Sequence, residues 1–166
     1  MKKIRKITFL GLAAACAIVL SYVEMLLPPL WSAVPGIKMG LPNIMIVFLL
    51  YRYTLKEAAT VSLIRIFAVS FMFGNAMILA YSLVGAALSL ALMGLLKKTQ
   101  KFSTVGVSIA GGVAHNLGQI IVAILVMRRV EIGYYMIVLT MTGTLAGIIV
   151  GIAGALLMKY IPQGRS

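Results

Sequence analysis

Aspartate is missing from this chain altogether, and its acidic side chains are Glu24, Glu57 and Glu131. Cysteine and histidine occur once each, as Cys16 and His115. These shortages exclude whole classes of chemistry. Magnesium–diphosphate chemistry needs paired carboxylates to hold the metal, and three scattered glutamates do not provide them. A single histidine builds no His-based metal cluster, and a single cysteine allows neither an intrachain disulfide nor a cysteine-based metal site. Without aspartate there is no Ser-His-Asp set, and no Ser-His-Glu set is apparent. No Walker motif is present, so this chain does not hydrolyse ATP. The expectation is a protein that is not by itself an enzyme, with no catalytic residues, no metal and no cofactor.

Polar surface is also scarce. Of 166 residues, 62% are hydrophobic and 11% are charged. A soluble domain of this length needs a polar shell over its core, and this chain cannot make one, so lipid is its solvent. A spanning helix takes about 20 apolar residues. The length therefore accommodates an all-α integral membrane bundle of about six transmembrane helices, one domain over 1–166. The apolar runs place the spans at about 7–27, 37–51, 57–73, 76–96, 102–127 and 134–161. The second is unusual. Its segment Pro35-Gly36-Ile37-Lys38-Met39-Gly40-Leu41-Pro42-Asn43 is interrupted by glycine and proline, and the clean run 44–50 is too short to span alone. Irregular backbone must then lie at membrane depth, which is tolerated only where it is buried in protein or lines a cavity.

The basic residues outnumber the acids 15 to 3, but they fall in short clusters between apolar runs. That is the pattern of membrane topology signals rather than of a nucleic-acid surface. With the N-terminus inside, Lys2, Lys3, Arg5, Lys6, Arg52, Lys56, Lys97, Lys98, Lys101, Lys159 and Arg165 are cytoplasmic. Lys38, Arg128 and Arg129 are outside, and Arg65 lies within the membrane. The bias favours both termini in the cytoplasm, in a multi-pass protein of the bacterial cytoplasmic membrane. A rival reading takes Met1–Lys6 and the run ending Ala13-Ala14-Ala15-Cys16 as a lipoprotein signal; the apolar run continues past Cys16, which favours a first spanning helix.

Two small-residue stripes predict close helix packing. Gly143, Gly147, Gly151 and Ala155 recur every four positions in the last span, which suits contact inside the bundle or between subunits. Ala13 and Ala17 form a second, weaker stripe in the first span.

Polar groups inside a membrane are costly and usually face a cavity or one another. In the fifth span Ser108, Gly111, Gly112, His115 and Gln119 share a helical face, and Asn116 sits beside it. Arg65 is deep in the third span and needs a partner, for which Glu24 is one candidate. If the helix starting near Asn43 presents its N-terminus to the bundle, its free N–H groups and Lys38 would favour an anion. The candidate ligand-binding residues are Lys38, Asn43, His115, Asn116 and Gln119, with Arg65 and Glu24. The expected ligand is a polar or anionic small molecule with an apolar part, bound in the outer half of the bundle.

The run Gly36-Ile37-Lys38-Met39-Gly40-Leu41-Pro42-Asn43 resembles the Gly-x-Lys-x-Gly-Leu-x-Asn segment of the Gx transporter family. The segments 102–108 and Gly112-Val113-Ala114-His115-Asn116-Leu117-Gly118-Gln119 resemble that family's second hallmark. The likeness covers nearly the whole chain, although Gly74-Asn75-Ala76 replaces the Ser/Pro-containing turn expected there. Such proteins are often labelled heptaprenyl diphosphate synthase component I, and they are similar to the substrate-binding S components of energy-coupling factor importers. That resemblance implies a six-helix micronutrient-binding subunit docked on a transmembrane coupling subunit with two ATPases, with Ala13 and Ala17 as the contact. The alternative it implies is a noncatalytic membrane partner of a prenyl diphosphate synthase in isoprenoid biosynthesis.

Overall fold

A computed structural model describes residues 2–26 and 40–161. Those residues form helices α1 (Lys2–Leu26), α2 (Asn43–Arg52), α3 (Leu55–Phe73), α4 (Ala76–Thr99), α5 (Thr104–Met127) and α6 (Met136–Tyr160), with a short 3-10 helix, Val130–Tyr135, leading into α6. The all-α architecture expected from composition is what forms. Helix starts follow local chemistry. Thr54 and Glu57 make a reciprocal capping box on α3. Asn75 accepts from the Ile78 N–H at 2.9 Å and caps α4, and Ser103 does the same for α5 through the Gly106 N–H at 3.1 Å. Left-handed backbone at Gln100 and Arg128 ends α4 and α5.

Helix directions are fixed by contacts at one end of the bundle. Lys6 pairs with Glu57, so α1 and α3 start together and run parallel. Phe9 stacks on Tyr53, just past the end of α2, with ring centroids 5.5 Å apart. Arg52 donates to the Met158 carbonyl and, at 3.1 Å, to the Ile161 carbonyl at the end of α6. Lys97, near the end of α4, donates to the Leu50 carbonyl of α2. Thus α2, α4 and α6 finish where α1 and α3 begin. Lys3, Arg5, Lys6, Arg52, Lys56, Lys97, Lys98 and Lys159 gather at this end, while Arg128 and Arg129 lie at the other.

Among the described residues four stretches are long and apolar enough to cross a membrane: Lys3–Leu26, Ala76–Thr99, Thr104–Met127 and Val130–Tyr160. Helix α3 has 19 residues and carries Lys56, Glu57 and Arg65. Helix α2 has only 10 residues and forms the middle of the core. Its Ile46, Val47, Phe48, Leu49 and Leu50 are each at most 2% exposed. Helix α2 starts at Asn43, where the sequence places a helix start, and Gly40 turns the chain at φ 73° just ahead of Pro42. Residues 37–39 lie outside those described.

The most extensive packing joins α5 to α6 and to α4. Glycine permits both contacts. A Cβ on Gly147 would come 2.5 Å from the Ile109 Cα, and one on Gly112 would come 2.5 Å from the Gly143 carbonyl oxygen. The Gly143/Gly147/Gly151 stripe is therefore an intrachain α5–α6 contact. Where lipid is as apolar as the side chains, such close approach supplies the attraction through packing. Helices α1, α2 and α3 pack on one another and reach the second half through α2–α6 and α3–α4 contacts.

Candidate functional site

The end of the bundle opposite the basic cluster encloses a cavity of about 90 Å³ on the seam between the two halves. Each half contributes polar groups. Ser21 and Glu24 come from the last turns of α1, Gly40 and Asn43 from the start of α2, and Arg65 and Ser70 from α3. Ser82 comes from α4, and His115, Asn116 and Gln119 from α5. Ile66, Val69, Ile78 and Ala146 supply apolar wall.

Of the ligand candidates read from the sequence, Glu24, Asn43, Arg65, His115, Asn116 and Gln119 all line this cavity. Lys38 lies outside the described residues. Glu24 and Arg65 are oppositely charged and both line it. The Arg65 Nε is buried and has no hydrogen-bond partner among the described residues. Gln119 Nε2 lies 3.3 Å from His115 Nε2, one helical turn back on the same face. Asn116 divides its role, since its amide donates to the Leu139 carbonyl at 2.7 Å and so ties α5 to α6.

Two expectations need correction. The N-terminus of α2 does not offer free N–H groups. Asn43, Ile44 and Met45 donate to the carbonyls of Gly40, Leu41 and Pro42 at 2.8, 3.1 and 3.2 Å. The turn's anion is built in, because Glu24 Oε1 accepts from the Gly40 N–H and, at 3.3 Å, from the Leu41 N–H. The carboxylate of α1 therefore splints the chain at the point where it turns into α2. The second correction concerns Ala13 and Ala17, expected to touch a partner subunit. They are 1% and 0% exposed within this chain, so the stripe is already covered by its own bundle. Gly11, Leu12, Ala15 and Cys16 are the residues α1 exposes there. Ala15 and Cys16 border an apolar groove whose other walls are Ile44 and Met45 of α2 and Ala153 and Leu156 of α6.

Sequence reading missed the residues that set the imidazole in place. A Cβ on Gly118 would come 2.8 Å from the Gly85 Cα, and one on Gly85 would meet the His115 carbonyl oxygen at 2.9 Å and its ring at 3.0 Å. The α4–α5 approach at Gly85 thus creates the space in which the His115 ring lies. Gly85 stands isolated in an alanine- and leucine-rich span, with no repeat to mark it. Ser21, Ser70 and Ser82 were also missed; Ser21 lies one turn before Glu24 on the same helix, and that spacing was the available signal. No group of three or more His, Cys, Asp or Glu side chains that could hold a metal occurs among the described residues.

No curated protein matches the chain, and no solved structure does. A family model described as heptaprenyl diphosphate synthase component I matches residues 13–157, which reaches from within α1 to within α6 and takes in every described lining residue of the cavity. By that match the chain belongs to the heptaprenyl diphosphate synthase component I family.

Proposed function

We propose that this protein is a substrate-binding membrane subunit, of the S-component type, of a micronutrient importer. In this reading both termini face the cytoplasm, and the cavity opens toward the outer face. The observation that carries it is convergence. Polar groups too costly to leave in lipid, drawn from α1, the start of α2, α3 and α5, meet in one cavity at the end away from the basic cluster. A basic cluster of this kind marks the cytoplasmic side of membrane proteins. The chain carries no ATPase motif, so transport would draw its energy from a coupling subunit with ATPases.

The test is ligand retention. Protein purified in mild detergent should carry a small molecule detectable by mass spectrometry. Gln119→Leu should weaken its binding by about 0.5–1.5 kcal/mol, the usual net worth of a hydrogen bond. Unchanged affinity with lowered thermal stability would make Gln119 a helix tie and remove the site from consideration.

The family description favours a second reading, a noncatalytic membrane component working with a heptaprenyl diphosphate synthase. The absence of aspartate fits only a noncatalytic role in such a pair. Co-purification separates the two readings. ATPases and a transmembrane partner support the first, and an aspartate-rich prenyl synthase supports the second.

A further inference from the structure

We propose that the cavity's ligand is a small zwitterion, its carboxylate held by Arg65 and its cationic group drawn to Glu24. This rests on the ligand-binding reading above and names the substrate class of that site.

The first argument is charge balance. Among the described residues the cavity carries one fixed cation, Arg65 on α3, and one fixed anion, Glu24 on α1. Unbalanced charge in a low-dielectric site is expensive, whereas a paired charge is tolerated. A ligand of zero net charge leaves the site as neutral as it finds it. A diphosphate would bring several negative charges beside Glu24 with, among the described residues, a single guanidinium to offset them. The part of the expectation of a polar or anionic ligand that was built on a free helix N-terminus is weakened by the same geometry, while Lys38, the other part, lies outside the described residues. Glu24 already takes the Gly40 and Leu41 N–H groups, and the first N–H groups of α2 are bonded within the turn.

The second argument is an unmet donor. Arg65 Nε is buried and unpartnered among the described residues. Leaving a buried donor unpaired costs about 1–3 kcal/mol. The Nε edge of a guanidinium is one of its two-pronged faces, and it matches the two oxygens of a carboxylate. A ligand carboxylate there would satisfy the donor that the protein leaves open.

The third argument is size. At about 90 Å³ the cavity is well below the roughly 300–1,000 Å³ that encloses a drug-sized molecule. It suits a compact head group, with the His115–Gln119 pair also on its lining.

The experiment uses the full chain in mild detergent, stripped of any retained molecule, and measures thermal stability and calorimetric binding. The probes are a panel of α-amino acids and glycine betaine as zwitterions, acetate and succinate as plain carboxylates, and isopentenyl diphosphate as a polyanion. At least one zwitterion should raise Tm by several degrees, while the plain carboxylates bind at least tenfold more weakly and the diphosphate gives no shift. The variant is the double substitution Arg65→Gln with Glu24→Gln. It removes both charges together, so neither is stranded, and the amide oxygen introduced on α1 can still accept from the Gly40 N–H. It should keep the starting Tm within a few degrees and lose zwitterion binding by at least tenfold. If the double variant fails to fold, Arg65→Lys is the fallback. It keeps the charge, loses the two-pronged edge, and should still bind zwitterions at least tenfold more weakly. Stabilisation by diphosphate or a plain carboxylate, with none by zwitterions, overturns the proposal but leaves a ligand site in place. So does a retained molecule of another class whose binding weakens in Gln119→Leu. Absence of any response, with no retained molecule, sinks the ligand-binding reading along with it.

Discussion

Gly147→Ala adds one methyl group to α6 and tests the packing that holds the second half together. The new Cβ would lie 2.5 Å from the Ile109 Cα, 2.9 Å from the Ser108 carbonyl oxygen and 3.0 Å from the Ile109 nitrogen. All three are backbone atoms, so no side chain can swing aside. Ordinary carbon contacts sit at about 3.5–4.0 Å, so α5 and α6 must separate by about 1 Å, loosening their whole shared face. Overpacking of this kind costs about 1–3 kcal/mol. Alanine's better helix propensity returns about 1 kcal/mol, which leaves a net loss of about 0–2 kcal/mol and a gap of about 1–3 kcal/mol from a substitution that gains the propensity alone. Gly11→Ala is the matched control, because a Cβ there meets nothing within 4 Å; it should be neutral or gain up to about 1 kcal/mol. Reversible unfolding in SDS–detergent mixtures, followed by circular dichroism, gives both values. If Gly147→Ala unfolds at the same SDS fraction as Gly11→Ala, the two helix backbones are not in contact at this position and the packing argument fails.

The remaining predictions concern the basic end of the bundle and the chain's activity. Arg52→Met keeps an unbranched apolar stem but removes the donors to the Met158 and Ile161 carbonyls. It should cost about 1.5–3 kcal/mol, as for a charged hydrogen bond, whereas exposed Lys56→Met should stay within about 0.5 kcal/mol in the same SDS titration. Reporter fusions after Lys101 and at the C-terminus should read cytoplasmic, and one near Trp31 external; an external C-terminus would reverse the topology. Purified protein given magnesium, an allylic diphosphate and isopentenyl diphosphate should make no product, and robust turnover free of a contaminating synthase would contradict the noncatalytic reading.

The sequence made the helices legible because lipid imposes one length and one composition on a spanning helix. The α6 glycine stripe was legible for the same kind of reason, since its four-residue period marks a helix face. Its partner was not, because period alone does not say whether the facing helix belongs to this chain. The polar candidates in α1, α3 and α5 met in one cavity because each was a side chain that lipid would reject. The N-terminus of α2 was misread because hydrogen bonding is a matter of accounts settled in three dimensions. From sequence its N–H groups look vacant, whereas the turn carbonyls and Glu24 occupy that region. Ala13 and Ala17 were misassigned for the opposite reason. A small residue marks close approach without naming the neighbour, and here α1 lies against its own bundle.

Helix α2 has a consequence for how the protein is made. At 10 residues it is about 15 Å long, half the roughly 30 Å hydrocarbon layer. A nascent segment of that length gains too little from lipid to partition into the bilayer by itself. Its central side chains are sealed by neighbours instead, and its Leu50 carbonyl accepts from Lys97, near the end of α4. Those neighbours include α6, which is made after α1 to α5. Its place in the bundle is therefore acquired by folding rather than by insertion, and it is complete only once α6 has been made. A chain stopped after α3 should leave α2 accessible to cysteine-labelling reagents along its length, whereas the same positions in the finished protein should be protected.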